Sequence, residues 1–207
     1  MNAPKPATPI GRPRAFDADQ ALEKALLLFW EKGYEGTSLS DLTAAMGINR
    51  PSLYAAFGNK QALFQKVLAR YSEGPAAYVK AALALPTARA TAEALLRGAL
   101  DLQSDPAHPR GCLAIQSALV CGDEARPVRE QLIAQRCDMQ AALAARFTRA
   151  RKAGEFSKDV DPARLARYLC TVLQGMAVQA TSGATVEELR GIAEQAMFAW
   201  PADPRAK

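Results

Sequence analysis

Polar side chains are concentrated at the start of a short helix that the sequence predicts from about residue 50. Arg50 has a planar guanidinium that fits a guanine edge or a phosphate. Ser52 and Tyr54 have hydroxyls that can donate hydrogen bonds to phosphates. A helix end with such small and polar groups can enter the major groove of DNA, which is about 12 Å wide. The first chemistry that the sequence indicates is therefore recognition of DNA.

A second group of residues can hold phosphate. Asn59 and Lys60 lie at the predicted start of the next helix, where free backbone N–H groups and the positive end of the helix dipole attract anions. Arg12 and Arg14 lie on a proline-rich N-terminal arm and can reach the DNA backbone or the minor groove. Contacts of this kind position a protein on DNA and carry little sequence information.

Three predicted helices must position these groups. The first covers residues 17–32, and its apolar residues recur at helical spacing. Ser38 and Asp41 form a capping-box variant at the start of the second, and Gly47 ends it where the chain can turn sharply. Asn49 can cap the third helix. Two short helices that are joined by a tight glycine turn and packed on a third form a helix-turn-helix unit.

Helical periodicity continues through the rest of the chain, and no stretch alternates with period two over the length of a strand. The pattern predicts nine helices in all, including a buried helix at about 112–121. The predicted fold is all-α, with an N-terminal three-helix helix-turn-helix head and a C-terminal helical ligand-binding and dimerisation domain. The predicted segments are a flexible basic arm at residues 1–15, the head at 16–58 and the second domain at 59–207.

The composition excludes several classes of protein. A hydrophobic fraction of 49% is enough for a packed core. No run of about 18 apolar residues predicts a membrane helix. The first nine residues contain three prolines and lack the apolar run of a signal peptide. We therefore expect a cytoplasmic protein with no membrane partner. The net charge of +5 is weak support for a polyanionic partner, because the head itself is not broadly basic.

The single histidine and the four cysteines form no recognisable reactive site. His108 lies between prolines in a predicted exposed loop, and no Ser/His/Asp set, HExxH motif or phosphate loop accompanies it. We expect no enzyme, no cofactor and no metal site. Cys112 and Cys121 are nine residues apart, so they lie on opposite faces of their predicted helix and cannot share a metal there. A thiol-redox or metal sensor remains the alternative to a sensor of an organic ligand.

Apolar helices with few polar groups in the second domain predict a ligand pocket. The same pattern is typical of an ordinary helical core, and the sequence leaves both interpretations open. The predicted ligand-binding residues are Gln116, Gln174, Cys112, Leu143 and Phe147. Because these helices offer almost no charge, we expect a small-molecule effector that is uncharged or weakly polar, with the two glutamine amides as its polar anchors.

The last two predicted helices have apolar stripes wide enough to pack against their own chain and against a second copy. Such pairs of helices can form a two-fold, four-helix interface. We therefore expect a homodimer. The predicted interface residues are Tyr168, Val172, Met176, Leu189, Ile192, Ala196 and Trp200.

Residues 16–71 resemble the N-terminal domain of the TetR/AcrR family of bacterial regulators. The matching stretches are FWEKGY at 29–34, TSL at 37–39, DLTAAMGI at 41–48, SLY at 52–54, Phe57 and KQAL at 60–63. The run PRGCL at 109–113 resembles one branch of the family.

This resemblance implies an Ω-shaped homodimer, with DNA-binding heads at one end and a ligand pocket in each C-terminal domain. The residues that it places on operator DNA are Thr37, Ser38 and Lys60 on phosphates, and Arg50, Pro51, Ser52 and Tyr54 in the groove. Ala55 and Ala56 stand where many relatives have larger polar or aromatic residues, so base contacts there are limited to methyl packing. The expected function is a repressor that releases a palindromic double-stranded operator when a small organic ligand binds.

Overall fold

The structure is a computed structural model that describes residues 16–117 and 119–205. These residues form ten α-helices and one short 3-10 helix, with no β-strand in the described ranges. The all-α prediction is confirmed, whereas the predicted arm at residues 1–15 lies outside the described residues. Within the same ranges, no helix has the length and apolar character needed to span a membrane. The helices are α1 Ala18–Lys32, α2 Leu39–Met46, α3 Arg50–Phe57, α4 Lys60–Glu73, α5 Tyr78–Leu83, α6 Ala88–Ser104, α7 Leu113–Gln116, α8 Arg126–Lys152, α9 Pro162–Thr181 and α10 Val186–Phe198, with the 3-10 turn Asp123–Ala125 before α8.

Local hydrogen bonds and one glycine determine where the two helices of the helix-turn-helix, α2 and α3, begin and end. The Ser38 hydroxyl accepts the Asp41 N–H at 3.0 Å, and the Asp41 carboxylate accepts the Ser38 N–H at 3.0 Å, which is a capping box. Gly47 ends α2 in the left-handed conformation, with φ of 71°. The Asn49 side chain then caps α3 by accepting the Ser52 N–H at 2.9 Å. The turn between α2 and α3 therefore has the local chemistry that the sequence predicts.

Helix α4 contributes to the core of the head and to the region behind it. In its first half, the Phe64 ring lies edge-on to the rings of Phe29 and Tyr34, with 5.0 Å between centroids in each pair. Near its end, the Tyr71 ring lies edge-on to Trp30 at 4.9 Å. The same buried cluster includes Leu102 from α6, Leu113 from α7 and Leu132 from α8. The head is thus packed directly on the rest of the chain.

A second buried cluster lies among α6, α8, α9 and α10. The Trp200 ring is 5.4 Å from that of Phe147 and 6.1 Å from that of Phe156. The Arg146 and Glu155 side chains form a buried ion pair at 4.0 Å close to this cluster. Because Glu155 also accepts a backbone N–H at the start of α6, this charge pair connects the ends of α6 and α8. These helices form a packed unit behind the head.

The helix predicted at 112–121 is wrong in length, because α7 covers only Leu113–Gln116. The carbonyl of Ser117 accepts a hydrogen bond from the Tyr34 N–H of the head at 3.3 Å, so it is engaged outside the helix. The expectation that this stretch is buried throughout is also wrong, since Val120 is 92% exposed. Tertiary contact with the head has replaced the last turns of the predicted helix.

Two other features differ from the expectations. Helix α5 is one more than the nine predicted, and no side chain caps its start, so the sequence carries no start signal for it. His108 is half-buried instead of lying in an exposed loop. Its ring stacks on Trp30 with 5.3 Å between centroids, and its Nδ1 lies 2.9 Å from the Asp105 carboxylate. The loop between α6 and α7 is therefore packed against α1.

Candidate DNA-binding surface and effector cavity

The start of α3 brings together the residues that the sequence predicts in the major groove. Arg50, Pro51 and Tyr54 are exposed, Tyr54 to 49%, and Ser52 is half-buried. The Arg50 Nη2 donates a hydrogen bond to the Ser40 hydroxyl of α2 at 3.1 Å. This bond holds the guanidinium across the helix-turn-helix. Ser40 is a member of this surface that the sequence analysis missed.

The two residues before α2 occupy different environments. Ser38 is exposed, and its hydroxyl donates to the Asp41 carboxylate at 2.8 Å. Thr37 is fully buried, and its hydroxyl donates to the Gly33 carbonyl at 2.7 Å. A phosphate contact through the Thr37 side chain does not fit this placement, because the hydroxyl is buried within the head and out of reach of DNA. Thr37 instead stabilises the turn between α1 and α2.

Lys60 is the first residue of α4, and its ammonium lies 4.4 Å from the centroid of the Tyr34 ring. Asn59 caps the helix by accepting the Ala62 N–H at 2.8 Å. Partial burial lowers the pKa of Lys60, and the nearby Glu35 carboxylate partly offsets this effect. A cation is therefore held on an aromatic face at a helix N-terminus, directly after α3 in the chain.

A cavity of about 580 Å³ lies among α4, α5, α6, α7, α8 and α9. Small-molecule sites in proteins have volumes of roughly 300–1,000 Å³, so this cavity is large enough for an organic ligand. Its wall is mostly apolar and includes Leu68 from α4, Leu102 from α6 and Leu173 from α9. The cavity is therefore suited to an apolar molecule.

The cavity wall also carries polar groups. The Tyr71 hydroxyl donates to the Cys112 sulfur at 3.3 Å, and Tyr78 lies on the same wall. Burial raises the pKa of both tyrosines and of the Cys112 thiol, so all three groups stay protonated at neutral pH. Gln174 and the half-buried Arg136 also line the cavity. The polar part of the wall thus offers several hydrogen-bond donors.

Two family models match the chain. The model of bacterial regulatory proteins of the tetR family matches residues 21–67, and the tetracyclin repressor-like C-terminal domain matches residues 89–196. The HTH-type transcriptional repressor ComR of Escherichia coli (strain K12) is 37% identical over 200 residues, which cover 92% of each protein. The chain belongs to the TetR family.

Other TetR-family members are similar over nearly the whole chain. The HTH-type transcriptional repressor BdcR of Escherichia coli (strain K12) is 30% identical over 190 residues, which cover 90% of each protein. A cysteine mutant of the TetR family regulator CifR, solved with 26-base-pair operator DNA, has a TM-score of 0.86 and 41% identity, covering 92% of this chain and 100% of that one. This chain is accordingly a TetR-family transcriptional repressor, which confirms that part of the predicted function, and it belongs to a family of DNA-binding regulators, as the prediction of a non-enzyme requires.

The cavity contains two of the five predicted ligand residues, Cys112 and Gln174. Leu143 and Phe147 are fully buried in the second core instead. Helix α8 faces the cavity about one turn earlier, at Met139, so the next apolar positions already belong to the packed core. An apolar stripe in the sequence does not distinguish these two environments.

Gln116 was also predicted to bind the ligand, but it lies outside the cavity, as Leu143 and Phe147 do. Its side chain packs against Gly111. A Cβ at position 111 would come within 1.9 Å of the Gln116 amide. The buried Gln103 side chain of α6 holds the same loop, because it accepts the Gly111 N–H at 2.6 Å and donates to the Gly111 carbonyl at 3.0 Å. Gln103 and Arg136 both line the cavity, and the sequence analysis missed both.

Four of the seven predicted interface residues are buried within the chain itself, which corrects that part of the prediction. They are Met176, Leu189, Ala196 and Trp200. Helices α9 and α10 use this face to pack against each other and against α6, so these side chains have no surface left for a partner.

Apolar side chains on the other side of α9 and α10 are accessible. Tyr168 is exposed, and Val172 and Ile192 are half-buried. Val178 and Phe198, which the sequence analysis did not include, are exposed to 44% and 86%. We call these five residues the outer face of α9 and α10.

The surroundings of two of the four cysteines, Cys112 and Cys170, do not favour the thiol-redox or metal alternative, whereas Cys121 is half-buried and Cys137 is exposed. No cluster of three or more His, Cys, Asp or Glu side chains that could bind a metal occurs in the part of the chain that the structure describes. Burial raises the pKa of Cys112, and it raises the pKa of Cys170 to about 11. Since the thiolate is the reactive form of cysteine, both environments suppress reactivity.

Proposed function

We propose that this repressor is a homodimer that holds a palindromic operator and releases it when a small organic molecule enters the cavity. The observation that carries the proposal is the course of α4. This helix begins at Lys60, directly after α3, and its last turns line the cavity with Leu68 and Tyr71. Over its 14 residues an α-helix is about 21 Å long and stiff, so a ligand that displaces one end also displaces the other.

A second connection between cavity and head runs through residues 112–117, which we call the bridging segment. Cys112 and Ile115 line the cavity. The Ser117 carbonyl then accepts the Tyr34 N–H of the head, and the Tyr34 ring lies against the Lys60 ammonium. A ligand in the cavity would therefore contact one end of the bridging segment, while the other end is bonded to Tyr34, next to the proposed phosphate contact at Lys60. Such a contiguous network supports coupling between two sites, provided that one of its elements has two arrangements.

The exposed groups of the head support a contact with the operator in which α3 enters the major groove. Arg50 and Tyr54 can reach base edges or phosphates, and Lys60 can reach a phosphate from the start of α4. The residues proposed for this surface are Ser38, Ser40, Arg50, Pro51, Ser52, Tyr54 and Lys60.

The outer face of α9 and α10 supports a two-fold interface between copies of the chain. Exposed apolar side chains on both helices would be buried there, which favours association. Two copies of the head related by a two-fold axis require an operator with two related half-sites. The expectation of a palindromic operator follows from this symmetry.

The proposal is tested by measuring operator affinity with and without candidate ligands. Fluorescence anisotropy with DNA from the region next to the gene identifies the operator, and a thermal-shift screen of apolar molecules identifies ligands. We expect a ligand that raises the unfolding temperature to weaken operator binding. By linkage, operator DNA must weaken ligand binding by the same factor. Ligands that bind tightly and leave operator affinity unchanged would contradict the proposal.

A cavity-filling variant shows whether release starts in the cavity. Leu173→Trp places a larger side chain on the wall, so we expect the screened ligands to lose their effect on operator binding. The control is Lys152→Trp at the exposed end of α8, outside the cavity and the outer face of α9 and α10, which should respond like the original protein. A ligand that still releases DNA from the Leu173 variant acts at another site.

A further inference from the structure

The charged residues on the cavity wall differ in their exposure. Glu73, Lys80 and Asp138 are exposed, whereas Arg136 is half-buried. Arg136 is therefore the least exposed charged residue on the cavity wall, and the three others lie toward solvent. The rest of the wall is mostly apolar and the nearby tyrosines are neutral, as described above.

The guanidinium of Arg136 is only partly satisfied by the protein. Its Nη1 donates a hydrogen bond to the Ala114 carbonyl of α7 at 3.0 Å. Within the described ranges, no carboxylate lies within 4.0 Å of it, although a guanidinium has five N–H donors. The positive charge of Arg136 also acts on the Cys112 thiol and lowers its pKa against the larger effect of burial. The guanidinium thus lies close to the cavity side of α7.

We propose that Arg136 selects an effector that has a single carboxylate on an apolar body. The planar guanidinium matches a carboxylate with two parallel hydrogen bonds, and such charge-assisted bonds are stronger than neutral ones. An anion without a partner would lose its hydration on entering an apolar cavity, so the arginine decides where the carboxylate binds. This inference rests on the proposed effector site, and it replaces the expected neutral ligand with an organic acid.

A carboxylate on Arg136 also affects the bridging segment. It binds the N–H donors that the Ala114 carbonyl leaves free, and its charge draws the guanidinium toward the cavity and so pulls on the bond to Ala114. Ala114 lies three residues before Ser117, whose carbonyl accepts a hydrogen bond from the head. The charge of the ligand, and not only its volume, is therefore connected to the position of the head. A neutral ligand of the same shape would leave the bond between Arg136 and Ala114 in place.

The experiment compares acids with their amides on the full-length protein. Octanoate and 4-phenylbutyrate are each titrated against the matching primary amide by isothermal calorimetry, using the original protein, Arg136→Gln and Arg136→Lys. We expect the original protein to bind at least one acid about tenfold to a hundredfold more tightly than its amide. Arg136→Gln should abolish this preference, and Arg136→Lys, which keeps the charge, should retain part of it. Arg149→Gln changes an exposed arginine of the same helix and should bind as the original does.

The outcomes separate this inference from the proposed function. Equal binding of acids and amides, or no saturable binding of either acid, would overturn the role of Arg136. Operator binding and its release by other apolar ligands would then still support the proposed function. An acid preference that survives in Arg136→Gln would also overturn the assignment. Circular dichroism and the unfolding temperature of each variant show that the lost preference does not result from unfolding.

Discussion

The ammonium of Lys60 lies against the ring of Tyr34, and its pKa is lowered by partial burial. A lysine in this environment has already lost part of its hydration. It therefore gives up less water when it moves onto a phosphate than a fully solvated lysine would. Tyr34 lies within the turn from Gly33 to Thr37 that the Thr37 hydroxyl stabilises, so the position of Lys60 depends on the core of the head.

Lys60→Ala should weaken binding to every DNA sequence by a similar factor. Loss of one phosphate contact removes one released counterion per subunit, so the slope of log affinity against log salt should fall by about 1 per subunit. Anisotropy titrations at several salt concentrations measure this slope. Lys66→Ala is the control, because Lys66 is exposed on a different face of the same helix. An unchanged slope in the Lys60 variant would remove this residue from the interface.

Single residues could be predicted where their role depends on nearby sequence. The surface of α3 is of this kind, because the Asn49 cap determines where the helix begins and therefore where Arg50 and Tyr54 lie on it. Arg136 could not be predicted, because its partner Ala114 lies 22 residues earlier and its burial depends on how α8 packs against α7. A buried arginine and an exposed one have the same appearance in a sequence.

The loop between α6 and α7 depends on a glycine. Gly111 has φ of +95°, and the Gln103 side chain forms hydrogen bonds with both its N–H and its carbonyl. A Cβ there would lie 2.6 Å from the Thr181 methyl group of α9. The Gln116 amide next to it can move aside, but a β-branched threonine has few alternative rotamers. This position therefore requires glycine for two independent reasons, its conformation and its close contacts.

Comparison of two glycine variants separates these reasons. Gly183 also has a positive φ, of +96°, but a Cβ there meets nothing within 4 Å. Gly183→Ala should cost about 1–2 kcal/mol of unfolding free energy from backbone strain alone. Gly111→Ala should cost about 1–3 kcal/mol more, from crowding. Urea denaturation at one protein concentration measures both values, and equal losses would show that the contacts of Gly111 do not matter.

Helices were predictable where their ends are determined locally. The α2–α3 turn has a capping box, a left-handed glycine and an asparagine cap within a dozen residues. Helix α5 has no cap, and it was missed. Helix α7 ends where the Ser117 carbonyl bonds to Tyr34 of the head, and this contact spans more than 80 residues of chain. Long-range contacts of this kind leave no local signal.

The described part of the chain contains two buried cores, and the half-buried Tyr78 packs against both of them. Periodicity in the sequence identifies the apolar faces of α9 and α10, but it does not show what covers each face. Leu189 and Trp200 are covered by their own chain, whereas Phe198 is left exposed only two positions from Trp200. Only the three-dimensional packing shows which apolar residues of α9 and α10 belong to the core and which belong to the outer face.

Phe198→Asp should separate the two subunits without unfolding them. The side chain is 86% exposed in the single chain, so a carboxylate costs little there, but it would be buried without a partner in the proposed interface. Sedimentation at micromolar concentration should show a monomer, and specific operator binding should be lost because one head meets only one half-site.

Val120→Asp is the matched control, since Val120 is an exposed apolar residue that lies outside α9 and α10. It should remain a dimer and bind DNA normally. A Phe198 variant that sediments as a dimer would place the interface elsewhere, whereas dissociation by both substitutions would extend it to the segment after α7.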